Sequence, residues 1–594
     1  MCNFLLLNKV PVTMKYILNN TQNNSTWQAI RNFLPYLSGE QHTVLLALIA
    51  LLINTGISLV SPIIIGNTIN TAIVQKQYAG VIRSSELLFV LFFIGFVASY
   101  FQTKLMGGVA QRLLFTLRNA IFIKLQELPV AFFNQNKAGD LISRINNDTD
   151  KLNDFFSRGL MQFVGNLFMM IGAIAFILFL DPHLGAAALS PAIFLLIFTH
   201  VLSAWIKKKN ATNMKAVGQM SAEITESLDN FKVIVAFNRR DYFRTRFQEV
   251  NDENHDSAVS AGVANTIFTP VYGLASSAAQ IIVLFYGIYL ISQGQFTIGF
   301  LISYFVYLTR FYDPIRQIAG LWSSFQVALA AWDRISEVLS LHSDMNIVKE
   351  TQEVSETGLL TFRDISFGYE GNEVLKNINF TLEKGKTYAL VGPTGGGKTT
   401  TASLMARLYD PTSGDIFFGG KNIKSYNHEE RTKKIGFILQ EPFLFTGTVR
   451  ENILYGNDEY KDYSDEQLTS IIEEQGLSEM LQRFDKGLDT PVTSHGDSIS
   501  LGQRQLIAFV RAILRRPELL ILDEATANID TMTEHLLGNI LEKLPVTTTK
   551  VVIAHRLNTI ENADEIFFVN AKGINLAGSL EHAIDLLLKG KRGS

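Results

Sequence analysis

The chain has 594 residues, of which 47% are hydrophobic and only 18% charged. Soluble globular chains carry about 25% charged residues, so a disordered chain and a coiled coil are excluded and a purely soluble enzyme is disfavoured. The net charge of −3 supplies no basic field for nucleic acid, and the single cysteine, Cys2, excludes an intrachain disulfide and a cysteine-rich metal site.

Residues 1–41 read as an N-terminal segment. Phe4–Leu7 is too short for the apolar core of a signal peptide. Met14 is a second candidate start. Trp27–Leu37 has the pattern of an amphipathic helix lying along the inner membrane interface. Residues 42–340 hold the long apolar runs. A helix needs about 20 such residues to cross a bilayer. Thr43–Gln75, Leu87–Thr103, Gly159–Leu180 and Leu184–Ile206 supply four spans, and Ser257–Thr309 is long enough for two. Ser292-Gln293-Gly294-Gln295 is the break between the last two, and Asp181-Pro182-His183 is a tight hairpin between the third and fourth. The sixth span runs on past Arg310 toward Leu339.

The second-to-third connection carries Lys104, Arg112, Arg118, Lys124, Lys137, Arg144, Lys151 and Arg158. The fourth-to-fifth carries Lys207, Lys208, Lys209, Lys215, Lys232, Arg239, Arg240, Arg244 and Arg246. Such positive charge marks the cytosolic side. Both termini then lie there too. Leu114, Leu117, Ile121 and Leu125 recur at helical spacing, so the connections are expected to be helices reaching tens of ångströms below the membrane. Aromatics crowd the fifth and sixth spans, among them Phe268, Tyr272, Phe285, Tyr289, Tyr304, Tyr307, Phe311 and Tyr312. Most are expected in helix packing and lipid contact, with several tyrosines in an interfacial belt. Arg310, Asp313 and Arg316 lie at three-residue spacing; an intrahelical ion pair and a functional site both fit them.

Residues 341–357 read as a linker, and 358–594 as a soluble α/β domain. Strands are expected at Leu359–Phe362, Asn379–Leu382 and Thr387–Val391. Gly392-Pro393-Thr394-Gly395-Gly396-Gly397-Lys398-Thr399 follows, and a helix is expected over Thr399–Leu408. This is a phosphate-binding loop in its required strand-to-helix setting. Glycines let backbone N–H groups wrap phosphates, and the helix start adds its dipole. Lys398 is placed on the β/γ-phosphates and Thr399 on Mg²⁺. Leu519–Leu522 reads as a buried parallel strand ending in Asp523-Glu524, at the edge where doubly wound sheets bind ligands. Paired with the loop, Asp523 becomes a Mg²⁺ ligand and Glu524 the residue that orients the attacking water.

Between these stands Ile499-Ser500-Leu501-Gly502-Gln503-Arg504-Gln505. The loop, this segment and the Asp-Glu strand have the order and spacing of ABC transporter ATPase domains. Six spans followed by one such domain resemble an ABC exporter half-transporter over nearly the whole chain. The resemblance implies an all-α membrane domain and an α/β ATPase domain with an antiparallel β subdomain. It implies ATP and Mg²⁺ as cofactors and ATP hydrolysis coupled to transport. Tyr369 resembles the aromatic that stacks on adenine. Gln440 resembles the Q-loop residue that contacts Mg²⁺. Ala527–Asp530 resembles the D-loop, and His555 the switch histidine that reads the γ-phosphate. The nucleotide contacts it implies are Tyr369, Gly392 to Thr400 and, presented to a partner's nucleotide, Ser500, Gly502 and Gln503. Phe132-Phe133 with Gly139–Arg144 resembles the first coupling loop of the exporters, and Glu226–Val233 with Ala236-Phe237 the second.

The usual signature reads Leu-Ser-Gly-Gly-Gln, and Leu501 replaces its first glycine. The segment before it, Thr493–Asp497, also departs from the family pattern. A complete catalytic set beside an altered signature resembles one subunit of the heterodimeric exporters. A different half-transporter is therefore expected as partner, with a homodimer as the alternative. Hydrophobic or amphipathic drugs, lipids or peptides are the implied substrates. A bacterial inner membrane, with the ATPase domain cytosolic, is the implied location. An ATP-gated channel on the same scaffold is disfavoured by Glu524 and His555. A soluble ABC ATPase of DNA repair or translation is disfavoured by the six spans.

Overall fold

The computed structural model describes residues 16–18, 26–349, 358–369, 371–493, 499–523, 531–553, 562–570, 572–578, 581–583 and 585–586. The chain divides into two compact units. One is helical, from Asn19–Gln126 and Gly139–Ser340. The other holds Leu341–Ser594 together with Met1–Leu18 and Glu127–Ala138.

Among the described residues, five helical segments are long and apolar enough to cross a membrane: Arg31–Ile73, Tyr78–Glu127, Ala138–Leu180, Pro182–Asp229 and Arg240–Ser292. A sixth helix, Ile298–Ser340, runs unbroken for 43 residues, and its apolar stretch is diluted by Arg310 and Asp313. The expected break falls between Ser292 and Ile298. Asp181 accepts the Leu184 N–H and caps the helix that Pro182 begins, so the third-to-fourth hairpin closes where the sequence placed it.

The Tyr78–Glu127 helix alone spans 50 residues, or about 75 Å at the α-helical rise. Its buried stripe is Leu113, Leu117, Ile121 and Leu125. That is one step over from the expected Leu114, because a strict four-residue repeat selects the tighter row. Apolar residues such as Phe89 and Phe96 face outward, as they must where the surroundings are hydrocarbon.

The expected interfacial belt does not include Tyr272, Tyr304, Tyr307 or Tyr312. All four are buried. Tyr304 donates to the Ile177 carbonyl at 2.6 Å and Tyr312 to that of Ala188 at 2.9 Å. Tyr307 donates to the Leu59 carbonyl, and Ser303 to that of Pro62 at 2.6 Å. A hydroxyl in an apolar bundle needs an acceptor, and helix carbonyls are the nearest ones. Arg310 also departs from the simplest expectation. Among the described residues it pairs with no carboxylate; its hydrogen bond goes to Ser61 Oγ at 3.5 Å.

Below the spans, Arg144 is 1% exposed. It bonds Asp140 at 2.9 Å, Glu337 at 2.8 Å and the Arg334 carbonyl. Arg334 reaches Asp140 at 2.6 Å and Asp148 at 3.1 Å. The Gly139–Asp148 segment is thereby tied to the last long helix by two cations and three carboxylates.

The α/β unit has two main sheets. Strands β1 (Leu360–Tyr369), β2 (Asn372–Leu382), β4 (Ser413–Phe418) and β5 (Lys421–Asn422) form an antiparallel sheet in the order β2-β1-β4-β5. β1 and β2 run longer than expected. Bulges that turn on Asp364 and Asn377, both at positive φ, break their alternation and hide their length. Strands β3 (Thr387–Val391), β6 (Ile435–Ile438), β9 (Leu519–Asp523), β10 (Thr549–Ile553), β11 (Glu565–Asn570) and β12 (Gly573–Leu576) form the second sheet, in the order β12-β11-β3-β10-β9-β6. All its pairings are parallel except β11–β12. A two-stranded ribbon, β7 (Gly447–Thr448) with β8 (Pro491–Val492), completes the unit.

Replacing Arg144 by Ala leaves Glu337, 11% exposed, without its guanidinium, while Asp140 keeps Arg334. A loss of about 3–5 kcal/mol is expected from such a broken pair. It is read as a lowered unfolding temperature of the purified chain, with Lys215→Ala, an exposed residue of the same unit, near neutral.

Candidate nucleotide site

Parallel pairing places the C-terminal ends of β3, β10, β9 and β6 along one sheet edge. Leu390 stands beside Ile553, Ile553 beside Asp523, and Leu522 beside Ile438. The phosphate loop leaves β3 at this edge. Asp523 ends β9 there, and Gln440 follows β6 by two residues.

The loop's backbone depends on glycine at two points. A Cβ on Gly392 would sit 2.1 Å from the Val569 carbonyl oxygen. Gly397 adopts φ 106° as it caps the helix Lys398–Met405. That helix starts at Lys398 and stops before the expected Leu408, because Arg407 takes positive φ. Lys398 is 6% exposed and donates to the carbonyls of Gly392 at 2.9 Å and Pro393 at 3.0 Å. Thr394, Gly395 and Gly396 form the open turn between them. Thr399 Oγ1 lies 3.3 Å from Asp523 Oδ1, so hydroxyl and carboxylate converge. Two hard oxygen donors at that spacing fit Mg²⁺.

Tyr369 stands at the end of β1, half-buried, with its hydroxyl 3.3 Å from Thr400 Oγ1. Phe367 and Tyr409 meet its ring edge-on, at 4.9 Å and 5.4 Å between centroids. Burial pushes its phenol pKa up, so the ring is neutral at physiological pH and suited to stacking. Tyr409 gave no signal in the sequence reading. Its hydroxyl accepts a 2.6 Å bond from Asn134 Nδ2, on the short helix Val130–Gln135 of the same unit.

Ser500 caps the helix Leu501–Ile513 by a reciprocal pair. Its Oγ accepts from the Gln503 N–H at 3.2 Å, and Gln503 Oε1 accepts from the Ser500 N–H at 2.8 Å. Gly502 is buried in the first turn. Leu501 packs partly buried against the core that holds Leu506, Phe509 and Ile513. The β-strand core beneath the phosphate loop is a different cluster. The Ser500 helix thus packs on the face of β9 that bears Leu520 and Leu522, and the phosphate-loop cluster on the face that bears Leu519 and Ile521. Arg511, farther along the same helix, donates to the carbonyls of Asn452 at 2.8 Å and Phe443 at 3.1 Å. It ties this helix to the segment after Gln440. Glu524, Ala527–Asp530, His555 and Ser494–Asp497 lie outside the described residues.

Two family patterns match the chain: the ABC transporter transmembrane region over residues 44–315 and the ABC transporter domain over 375–527. An uncharacterised ABC transporter ATP-binding protein of Bacillus subtilis is 33% identical over 90% of this chain and 89% of its own length. The chain belongs to the ABC transporter family. It is an ABC half-transporter, with a membrane domain joined to an ABC ATPase domain. Its relatives include a lipid A-core flippase of Mannheimia succiniciproducens, 31% identical over 84% of this chain and 86% of that one. A fatty acid transporter of Mycobacterium tuberculosis is 30% identical over 83% and 78%. This ABC transporter binds ATP, and its hydrolysis is coupled to transport across a membrane.

Lys398→Ala removes the one cation of the loop. ATPase activity is expected to fall about 100-fold or more, the size of effect seen when a preorganised charge-stabilising donor is lost. Phosphate release measures it, and Lys424→Ala, remote in sequence from the loop, serves as control.

Proposed function

We propose that this ABC transporter exports hydrophobic or amphipathic compounds by alternating access, as one half of a dimer with a different half-transporter. The membrane is a bacterial inner membrane, with the ATPase domain in the cytosol. Drugs, lipids and peptides are the substrate classes, and the names of the relatives support lipids among them.

The dimer reading rests on one contrast. The first cytosolic helix, Val130–Gln135, buries Phe132 completely within its own unit. The second, Phe231–Ala236, leaves Phe231, Val233 and Phe237 at 55%, 54% and 75% exposed. Apolar rings on a polar cytosolic turn call for a covering surface, and the partner's ATPase domain supplies it.

Tyr369 stacks on adenine. Gly392 to Thr400 wrap the phosphates, and Lys398 neutralises the β- and γ-oxygens. Thr399, Asp523 and Gln440 hold Mg²⁺, which offsets phosphate charge when bound. Glu524 orients a water that attacks the γ-phosphorus in line; the bond to the β-γ bridging oxygen breaks, leaving ADP and phosphate. His555 reads the γ-phosphate. Ser500, Gly502 and Gln503 present the start of their helix to the partner's γ-phosphate. Closure pulls on Val130–Gln135 and Phe231–Ala236, which act as coupling helices.

Leu501 favours unlike partners: it removes a glycine's backbone freedom from the signature. A homodimer is the second reading, and the packing of Leu501 into its own helical core supports it, since the side chain then need not crowd a nucleotide. ATPase of the chain purified alone separates the two. Unlike partners predict little activity, raised about tenfold or more by Leu501→Gly. A homodimer predicts strong activity that Glu524→Gln abolishes and Leu501→Gly barely alters.

A further inference from the structure

Tyr16 lies far from any motif, yet it is 2% exposed. Its main-chain N–H donates to Gln135 Oε1 at 2.8 Å. Its carbonyl accepts from Asn136 Nδ2 at 2.9 Å, and the Leu18 N–H donates to Asn136 Oδ1 at 3.1 Å. The ring meets Phe132 edge-on, 6.4 Å between centroids. The hydroxyl donates to Asp344 Oδ1 at 2.6 Å and accepts the Asp344 N–H at 2.9 Å. All of these residues belong to the α/β unit.

The consequence is mechanical. Val130–Gln135 is six residues long, too short to be stable by its own hydrogen bonds. On one side Asn134 holds it to Tyr409. At its C-terminal end Gln135 and Asn136 hold it to Tyr16–Leu18. Tyr16 in turn is fixed to Asp344, where the chain enters the ATPase domain. Two residues on, the Asn346 carbonyl accepts from Arg407 Nη2 at 2.8 Å, and Arg407 is 2% exposed beside Tyr409 in the chain. The helix is therefore held near its C-terminal end, through Asn134, Gln135 and Asn136, onto one patch of its own unit. The phenol pKa is held well above its ordinary value, chiefly by burial and then by the Asp344 acceptor, so the hydroxyl remains a donor across physiological pH.

We propose that Tyr16 is a positioning residue for coupling: the Tyr16–Leu18 strap holds the first cytosolic helix on the ATPase domain, so that nucleotide-driven movement of that domain is passed on to the membrane helices. This rests on the coupling role given to Val130–Gln135 above. The strap adds four side-chain-to-main-chain bonds and one carboxylate bond to the Asn134–Tyr409 bond.

The test is amide hydrogen exchange on the full chain, in its assembled dimer in phospholipid nanodiscs, with and without ATP plus vanadate. Two regions are read: Gly392–Thr399, which reports binding, and the Leu160–Leu180 helix, which reports the response of the membrane domain. In Tyr16→Ala the first response should persist and the second should shrink at least fivefold. Tyr16→Phe keeps the ring and loses the hydroxyl bonds, so it should fall between; it also carries the test if Tyr16→Ala does not fold. A merely structural strap would leave the second response intact wherever the first is intact, and that result overturns the proposal. Asn134→Ala separates the two layers. If it removes the membrane response while both Tyr16 variants keep it, only the strap fails. If neither position matters, the coupling role of the helix fails as well.

Discussion

The chemistry of this ABC transporter depends on parallel strand pairing at one sheet edge. β3, β10, β9 and β6 run the same way, so their C-terminal ends open side by side. That is why a loop near residue 395, a carboxylate at 523 and an amide at 440 share one neighbourhood. β9 is buried along its whole length, and a strand covered on both faces has no freedom to slip by one residue without moving Asp523 out of reach of Thr399.

The helix that Ser500 caps packs on the opposite face of β9 from the phosphate-loop cluster. Ser500 and Gln503 spend their side chains on capping their own helix, which leaves the first-turn amides as the groups open to an anion. The two short helices differ in how far they are covered. Phe231, Val233 and Phe237, on and beside the helix Phe231–Ala236, are exposed. Phe132, Asn134, Gln135 and Asn136, on and beside Val130–Gln135, are all engaged by residues of their own unit.

Tertiary contacts decide between readings that the sequence leaves open. Tyr304, Tyr307 and Tyr312 fall to helix packing, as core residues donating to helix carbonyls. Periodicity cannot tell a lipid-facing tyrosine from a buried one when both neighbours are apolar. Arg310 reaches Ser61 on another helix instead of the nearer-in-sequence Asp313. Leu501 packs partly buried against the core that holds Leu506 and Phe509. In each case sequence spacing named the residue, while direction came from the neighbouring helix.

What the sequence by itself determined is therefore local and periodic. Uncharged runs about 20 residues long mark the spans because hydrocarbon tolerates little else, and the phosphate loop is readable because its glycines, lysine and threonine are contiguous. Glu524 and His555 remain sequence readings, since they lie outside the described residues. What only the tertiary structure decided is which distant residues meet. Tyr409 beside Tyr369, Arg144 against Glu337, and Tyr16 between Gln135 and Asp344 join positions 40 to more than 300 apart in the chain. No local pattern encodes such pairings, because a hydrogen bond depends on where two side chains end up and not on how far apart they lie in sequence.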